Sequence, residues 1–134
     1  MKIIGIGVDI IYNQRINKLI KNKQFLNRVF TTKEILHSKK MLNKRNYFAK
    51  RFAAKESLVK AIGSGFRDGI NFKDIEITSN NLGRPFYMIN KKIKIFLQKK
   101  LKLKKFELFL SISDEKEYSI AFTIIQKKWL IRNL

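Results

Sequence analysis

The segment Phe48 to Gly63, Phe-Ala-Lys-Arg-Phe-Ala-Ala-Lys-Glu-Ser-Leu-Val-Lys-Ala-Ile-Gly, constrains the fold more tightly than any other stretch of the chain. At a helical advance of roughly 100° per residue, Phe48, Phe52, Leu58, Val59 and Ile62 share one stripe, while Ala53, Ala54, Ser57 and Ala61 collect on the opposite side. One side packs large groups; the other lets a neighbouring main chain come close. The pattern predicts a helix over about 45–62, stopped by Gly63 and buried on two sides. Arg51 and Lys55 fall inside the apolar stripe, where an unpaired charge is costly, so anionic groups must meet them.

The other elements are arranged around this helix. Residues 2–10, nearly continuous in apolar content, read as a central strand covered on both faces. A basic helical stretch over about 14–23 carries Ile16, Leu19 and Ile20 at helical spacing. Thr31-Thr-Lys-Glu34 has the form of a capping box and starts a short helix to about Met41. Phe72 to Thr78 reads as a strand, Ser79-Asn-Asn-Leu-Gly83 as a turn, and Pro85 to Ile89 as the partner strand. Residues 91–103 are helical by pattern, and Phe106 to Ser113 with Tyr118 to Gln126 form a hairpin around Asp114-Glu-Lys-Glu117. The order is α+β, a mixed or antiparallel sheet packed against a long central helix. At 134 residues the chain forms one domain, about 1–126, able to bury roughly two-thirds of its unfolded surface. A tail over 127–134 carries Trp129, Leu130 and Ile131, which pack on the body or on a neighbour.

Composition narrows the partners. There are no cysteines, so disulfides and thiolate metal sites are excluded and a reducing interior is permitted without being demonstrated; the localisation expected is cytoplasmic. The glycine-broken N-terminal run reads as a strand and not as a signal peptide. Nowhere do about 18 apolar residues run together, so no membrane span is expected. The net charge of +20 attracts polyanions, but a lysine excess accompanied by isoleucine, asparagine and phenylalanine also fits a coding bias that fills neutral positions. The seven arginines, at 15, 28, 45, 51, 67, 84 and 132, are therefore the more informative cations.

Against 30 basic residues the chain has only 10 acidic ones, so an acid beside an apolar element stands out. Asp9 closes the run Ile3-Ile-Gly-Ile-Gly-Val8, and Glu56 lies in the main helix. If the two meet in space they form an oxygen-rich site for a hard cation among lysines and arginines. The alternative is that Glu56 only pairs with Lys60 one turn on, a surface pair contributing about 0.3–0.5 kcal/mol. Around the helix, Gly63-Ser64-Gly65 forms a loop whose amides and hydroxyl could wrap an anion. Gly83-Arg84-Pro85 sets a guanidinium at a rigid strand entry, and Ser111-Ile-Ser113 puts two hydroxyls on one face of a strand.

Taken in order, Gly5-Ile-Gly-Val-Asp9, Arg51-Phe-Ala-Ala-Lys-Glu56-Ser-Leu-Val-Lys60-Ala-Ile-Gly63, Asn81-Leu-Gly-Arg-Pro85 and Leu110-Ser-Ile-Ser113 followed by Tyr118 resemble the bacterial holo-[acyl-carrier-protein] synthases, the short 4′-phosphopantetheinyl transferases. The resemblance spans about residues 1–126. It implies that family's fold, and transfer of the phosphopantetheine arm of coenzyme A to a serine of acyl carrier protein, releasing adenosine 3′,5′-bisphosphate in support of fatty acid and lipid biosynthesis. It implies Mg²⁺ held by Asp9 and Glu56, which suits an ion that takes oxygen ligands and few protein carboxylates, with Asp9, Glu56 and Lys60 as the catalytic group. Lys60, Gly63, Ser64 and Gly65 match the part of the pocket for the coenzyme's nucleotide and phosphates, and Arg84 and Pro85 its strand-side wall. Arg51 and Lys55 are charge partners for the coenzyme, and Ser111 and Ser113 match a serine-rich strand.

One position departs from the family pattern. Asp114 stands where a histidine is usual, and a carboxylate would repel a phosphate that histidine could bind. Either Asp114 turns away and a donor such as Lys116 substitutes, or it joins the metal shell, or coenzyme A binds less well. His37, the only histidine, lies in a lysine-rich stretch and cannot replace it by sequence position. The resemblance further implies a basic first helix docked on the acidic carrier protein, with Arg15, Lys18, Lys21 and Arg28 around Leu19, and a homotrimer whose active sites lie between subunits. The competing class is a small basic nucleic-acid-binding protein with Phe66, Phe72, Phe86 and Tyr87 as a stacking surface. That class leaves Asp9 and Glu56 without a task, since carboxylates oppose a phosphate backbone.

Overall fold

The structure is a computed structural model and describes residues 2–63 and 69–129. Strand β1 (Lys2–Tyr12) leads into helices α1 (Asn13–Leu19), α2 (Lys23–Val29) and α3 (Thr32–Ser38), then the long α4 (Lys44–Ile62). A 3₁₀ turn at Phe72–Asp74 precedes β2 (Glu76–Ser79), β3 (Pro85–Met88), α5 (Lys91–Leu101), β4 (Phe106–Asp114) and β5 (Tyr118–Lys127). Three strands form one antiparallel sheet in the order β1-β5-β4, and β2 pairs with β3 in a separate two-stranded ribbon. Helix α4 packs across the three-stranded sheet.

The sheet has two unlike faces. Gly7, Ile11, Ser119, Ala121, Thr123, Ile125 and Leu110 are buried beneath α4, whereas Ile6, Val8, Ile10, Ile120, Phe122 and Phe109 on the other face remain 40–63% exposed. The expected central position of β1 is thus corrected. β5 holds the centre, and β1 is an edge strand covered on one face only, because the described residues supply no second layer over Ile6, Val8 and Ile10. Apolar content alone did not distinguish a doubly covered strand from one with an apolar face left open.

The two-sided burial of α4 is present as expected. Tyr47, Phe48, Phe52 and Leu58 pack with Phe30 and the helical layer, while Ala53, Ala54, Ser57 and Ala61 are buried on the small side. A Cβ built on Gly7 would overlap the Ser57 carbonyl oxygen, and one on Gly5 would overlap the carbonyl of Ala61. The main chains of β1 and α4 are therefore nearly in contact, which only glycine permits. Beneath this contact Tyr87 OH donates to the Ala54 carbonyl (2.6 Å) and lies 2.7 Å from Thr123 Oγ1, which shares a 2.6 Å hydrogen bond with Ser57 Oγ. These buried hydroxyls join α4, β3 and β5, and burial pushes the Tyr87 phenol up to about 12.

Other boundaries differ from expectation. The basic stretch does not run on as one helix. It breaks after Leu19, and the Asn22 side chain accepts from the amides of Gln24 and Phe25 to cap a new helix, α2. The capping box at Thr31 and Glu34 is formed, but α3 stops at Ser38. The expected strand from Phe72 begins instead as the 3₁₀ turn, capped by Asp74 on the Asn71 amide at 2.8 Å. Lys127 belongs to β5, opposite both Lys2 and Phe106. The final residues Leu130 and Ile131 lie outside the described residues.

Gly7→Ala is expected to destabilise the fold by about 3 kcal/mol, near the upper end of overpacking costs, because its neighbour is rigid helix backbone. A denaturant midpoint equal to that of the parent chain would show that β1 has room to move away from α4.

Candidate active site

Strand β1 delivers Asp9 to the inward face two residues beyond Gly7, opposite Ala121. Helix α4 presents Glu56 and Lys60 one turn apart on the side left open to solvent. Asp9 is nearly covered, its side chain 14% exposed, and its Oδ1 accepts a hydrogen bond from Lys60 Nζ at 2.9 Å. Lys60 thus pairs with Asp9 and not with Glu56, which sets aside the simple surface pair within the helix. Burial holds the Glu56 carboxyl above the usual carboxylate range, and the charge of Asp9 raises it further. Lys60 and Arg15 pull it back down. The two carboxylates therefore share one electrostatic neighbourhood with two cations beside them. Among the described residues no third acid, histidine or cysteine completes a metal-binding cluster with them.

Glu56 also borders a cleft of about 620 Å³. The floor is apolar: Phe52 lies between Phe25 and Phe72, with ring centroids 6.4 and 5.4 Å apart, and Leu19 and Val29 extend it. Arg15, Arg28 and Lys73 stand around the rim. Of the residues expected to dock the carrier protein, Arg15, Leu19 and Arg28 line this cleft. Lys18 and Lys21 are exposed nearby in sequence but do not line the cleft. Phe25, Phe52 and Lys73 were not anticipated as site residues, and Phe72 only as part of a nucleic-acid stacking surface. The signal for Phe25 was Asn22, a capping residue placed directly before the apolar run Phe25-Leu26.

Arg51 and Lys55 part company. Lys55 is fully buried, and its ammonium donates to Glu34 Oε1 (2.7 Å) and to the carbonyls of Val29 (2.9 Å), Phe72 (3.1 Å) and Ile75 (2.6 Å). Its anionic partner is Glu34. The expected coenzyme contact is corrected for Lys55, since internal acceptors consume all its protons. Arg51 is 7% exposed, its guanidinium lies 3.8 Å above the Tyr47 ring, and its buried Nε has no hydrogen-bond partner among the described residues.

The remaining candidates are dispersed in a single chain. Gly63 ends α4 in the left-handed conformation (φ 88°) that a C-terminal cap demands, while Ser64 and Gly65 lie outside the described residues. Arg84 is exposed at the turn into β3, where its amide donates to Asn80 Oδ1, and Pro85 opens the strand. Ser111 and Ser113 sit opposite Phe122 and Ile120 on the outer face of the sheet, so one chain does not bring them to Asp9 and Glu56. Asp114 accepts a 2.9 Å hydrogen bond from Asn46 Nδ2, with Lys50 Nζ at 3.8 Å. It turns toward α4, away from the two serines.

Comparison with known proteins agrees with this architecture. The family model described as the 4′-phosphopantetheinyl transferase superfamily matches residues 5–123. A holo-[acyl-carrier-protein] synthase of Pelagibacter ubique is 54% identical over 128 residues, which cover 96% of this chain and 100% of the relative. The crystal structure of the Neisseria meningitidis holo-[acyl-carrier-protein] synthase is 35% identical, with a TM-score of 0.84 over 94% of this chain and 100% of its own. That of the Bacillus anthracis enzyme, in complex with CoA (3′,5′-ADP), is 30% identical, with a TM-score of 0.77 over 94% and 98%. With an aspartate strand laid against a glutamate-bearing helix and near full-length likeness on every count, the chain belongs to the 4′-phosphopantetheinyl transferase superfamily, among the holo-[acyl-carrier-protein] synthases.

Proposed function

We propose that this chain transfers the 4′-phosphopantetheine group of coenzyme A to a serine of apo acyl carrier protein. The observation that carries the reading is the paired Asp9 and Glu56, flanked by Lys60 and Arg15, at the edge of an apolar cleft with a basic rim. The serine oxygen attacks the phosphorus that bears pantetheine, the pyrophosphate P–O bond breaks, and adenosine 3′,5′-bisphosphate leaves. Glu56 receives the serine proton, a role suited to a carboxylate made more basic by burial and by Asp9. Lys60 assists charge on the phosphates once it is drawn from Asp9.

The donor set also fits Mg²⁺. It consists of two carboxylates in mutual repulsion, with a lysine ammonium already placed where positive charge is favoured and no sulfur or imidazole beside them. Asp9 and Glu56 would hold the ion, which when bound neutralises the pyrophosphate and the charge developing on the leaving group. For the coenzyme we assign Lys60 with Gly63, Ser64 and Gly65 to the phosphates and nucleotide, and Arg84 with Pro85 to the wall. Arg51, with its unpaired Nε, is assigned to a phosphate. Ser111 and Ser113 join this pocket from a neighbouring subunit, because within one chain they lie on the opposite face of the sheet. The open apolar face of Ile6, Val8, Ile10, Ile120 and Phe122 supports assembly, which the resemblance makes a homotrimer.

The acidic carrier protein docks on the cleft through Arg15 and Arg28, with Lys18 and Lys21 extending the basic surface and Leu19 as an apolar anchor; complementary charge chiefly raises the association rate. Among the described residues no helix is long and apolar enough to cross a membrane, and we place the enzyme in the cytoplasm. A nucleic-acid surface gains no support. Tyr87 is buried in the hydroxyl network, Phe72 stacks on Phe52, and Phe66 lies outside the described residues.

Asp9→Asn and Glu56→Gln are each expected to reduce kcat at least a hundredfold or so, the lower range for loss of a general base, read by mass gain of apo carrier protein with coenzyme A and Mg²⁺. Near-parental turnover in either variant would remove the assignment. Because the folded-state pKa of Glu56 is raised, its ionisation opposes folding at neutral pH. Glu56→Gln should therefore melt at a higher temperature than the parent at pH 7 while losing activity, and the parent's activity should fall as pH drops through the Glu56 pKa. A lower melting temperature for Glu56→Gln would contradict the stated environment of the carboxylate. Arg28→Glu should raise KM for the carrier protein about tenfold, equivalent to ~1.4 kcal/mol, and flatten the salt dependence of kcat/KM.

A further inference from the structure

The 620 Å³ cleft beside Glu56 has two walls from distant parts of the sequence. One is the end of α2, contributing Phe25, Arg28 and Val29. The other is the 3₁₀ turn, contributing Phe72 and Lys73. Helix α4 lies between them and supplies Phe52 to the floor and Glu56 to the edge. The ammonium of Lys55, the residue directly before Glu56, reaches both walls at once. It donates to the carbonyl of Val29 at 2.9 Å on one side and to those of Phe72 at 3.1 Å and Ile75 at 2.6 Å on the other. Glu34 Oε1 meets the same nitrogen at 2.7 Å, while its other carboxylate oxygen accepts from the Ile77 amide at 3.1 Å and so secures the start of β2.

We propose that Lys55 is a positioning residue for transfer, a buried clasp whose single nitrogen fixes the separation of the two cleft walls and so sets the docked carrier protein's serine against Glu56. The geometry is more specific than a general need for stability. An ion pair with Glu34 alone would neutralise both charges, yet three backbone carbonyls from two separate segments converge on the same point. Val29 and Phe72 are themselves cleft residues, so a movement of either carbonyl moves a surface the partner touches. The rows of hydrogen bonds that order helices and sheets do not join α2 to the 3₁₀ turn, since neither segment is a strand. The inference rests on reading the cleft as the carrier-protein dock.

Lys55→Arg tests it while keeping the charge opposite Glu34: a planar guanidinium cannot direct protons to Val29, Phe72, Ile75 and Glu34 from one atom. Lys55→Met/Glu34→Gln provides the second test, removing the buried charges together so that neither is left unpaired. Each full-length variant is assayed with apo acyl carrier protein, coenzyme A and Mg²⁺ after thermal unfolding has established that it is folded. The expected result is KM for the carrier protein raised about tenfold, equivalent to ~1.4 kcal/mol, with KM for coenzyme A unchanged. A purely structural role would reduce the active fraction, lowering apparent kcat with both KM values intact, and that outcome in either folded variant overturns the proposal. If Arg28→Glu also leaves KM for the carrier protein unchanged, the docking assignment itself fails. If Arg28→Glu raises it and the Lys55 variants do not, only the clasp fails.

Discussion

The main chain of β1 lies directly against α4, and that contact sets the spacing of Asp9 and Glu56. Gly5 and Gly7 face the carbonyls of Ala61 and Ser57 with no room for a methyl group, and Ala54 and Ala61 keep the helix side equally shallow. Because strand residues alternate between faces, the same register that sends Gly7 into the contact sends Asp9 toward α4 two residues later. The helix repeat then places Glu56 and Lys60 beside it. Moving the strand outward by a side chain's thickness would leave Asp9 solvated and Glu56 without its acidic neighbour. The Tyr87, Ser57 and Thr123 hydroxyls brace the arrangement from below.

Two acid and base pairs, built on consecutive turns of the same helix, show how position determines use. Lys55 and Glu34 are withdrawn from water and fully satisfied, so their charges hold elements together. Lys60 and Asp9 meet at 2.9 Å, but Lys60 is 53% exposed, and Glu56 beside them keeps a raised proton affinity. Glu56, its proton affinity raised chiefly by burial, opposes folding when ionised.

Much of this was legible in the residues. The division of α4 into large and small sides came directly from its periodicity, and the prominence of Asp9 and Glu56 from their sign in a basic chain. The partner of Lys55 was not legible, because Glu34 reads equally well as a local capping residue and in fact does both tasks, accepting from the Thr31 amide at 2.9 Å. Nor was the edge position of β1. An apolar strand records that its faces are covered, but not whether by the same chain. Phe25 was missed because α1 and α2 look continuous until Asn22 is recognised as a cap.

That ambiguity of β1 concerns the face it leaves open. A sheet with Ile10 63% and Ile6 56% exposed presents a contiguous apolar face of the kind that marks an interaction surface. Ser111 and Ser113 lie on that same face, opposite Phe122 and Ile120. A subunit packed there would bury the apolar side chains and take up the serines at its boundary in one step. Asp114 lies apart from these serines, since its bond to Asn46 turns the carboxylate to the other face. Asp114 therefore places no negative charge beside the two serines.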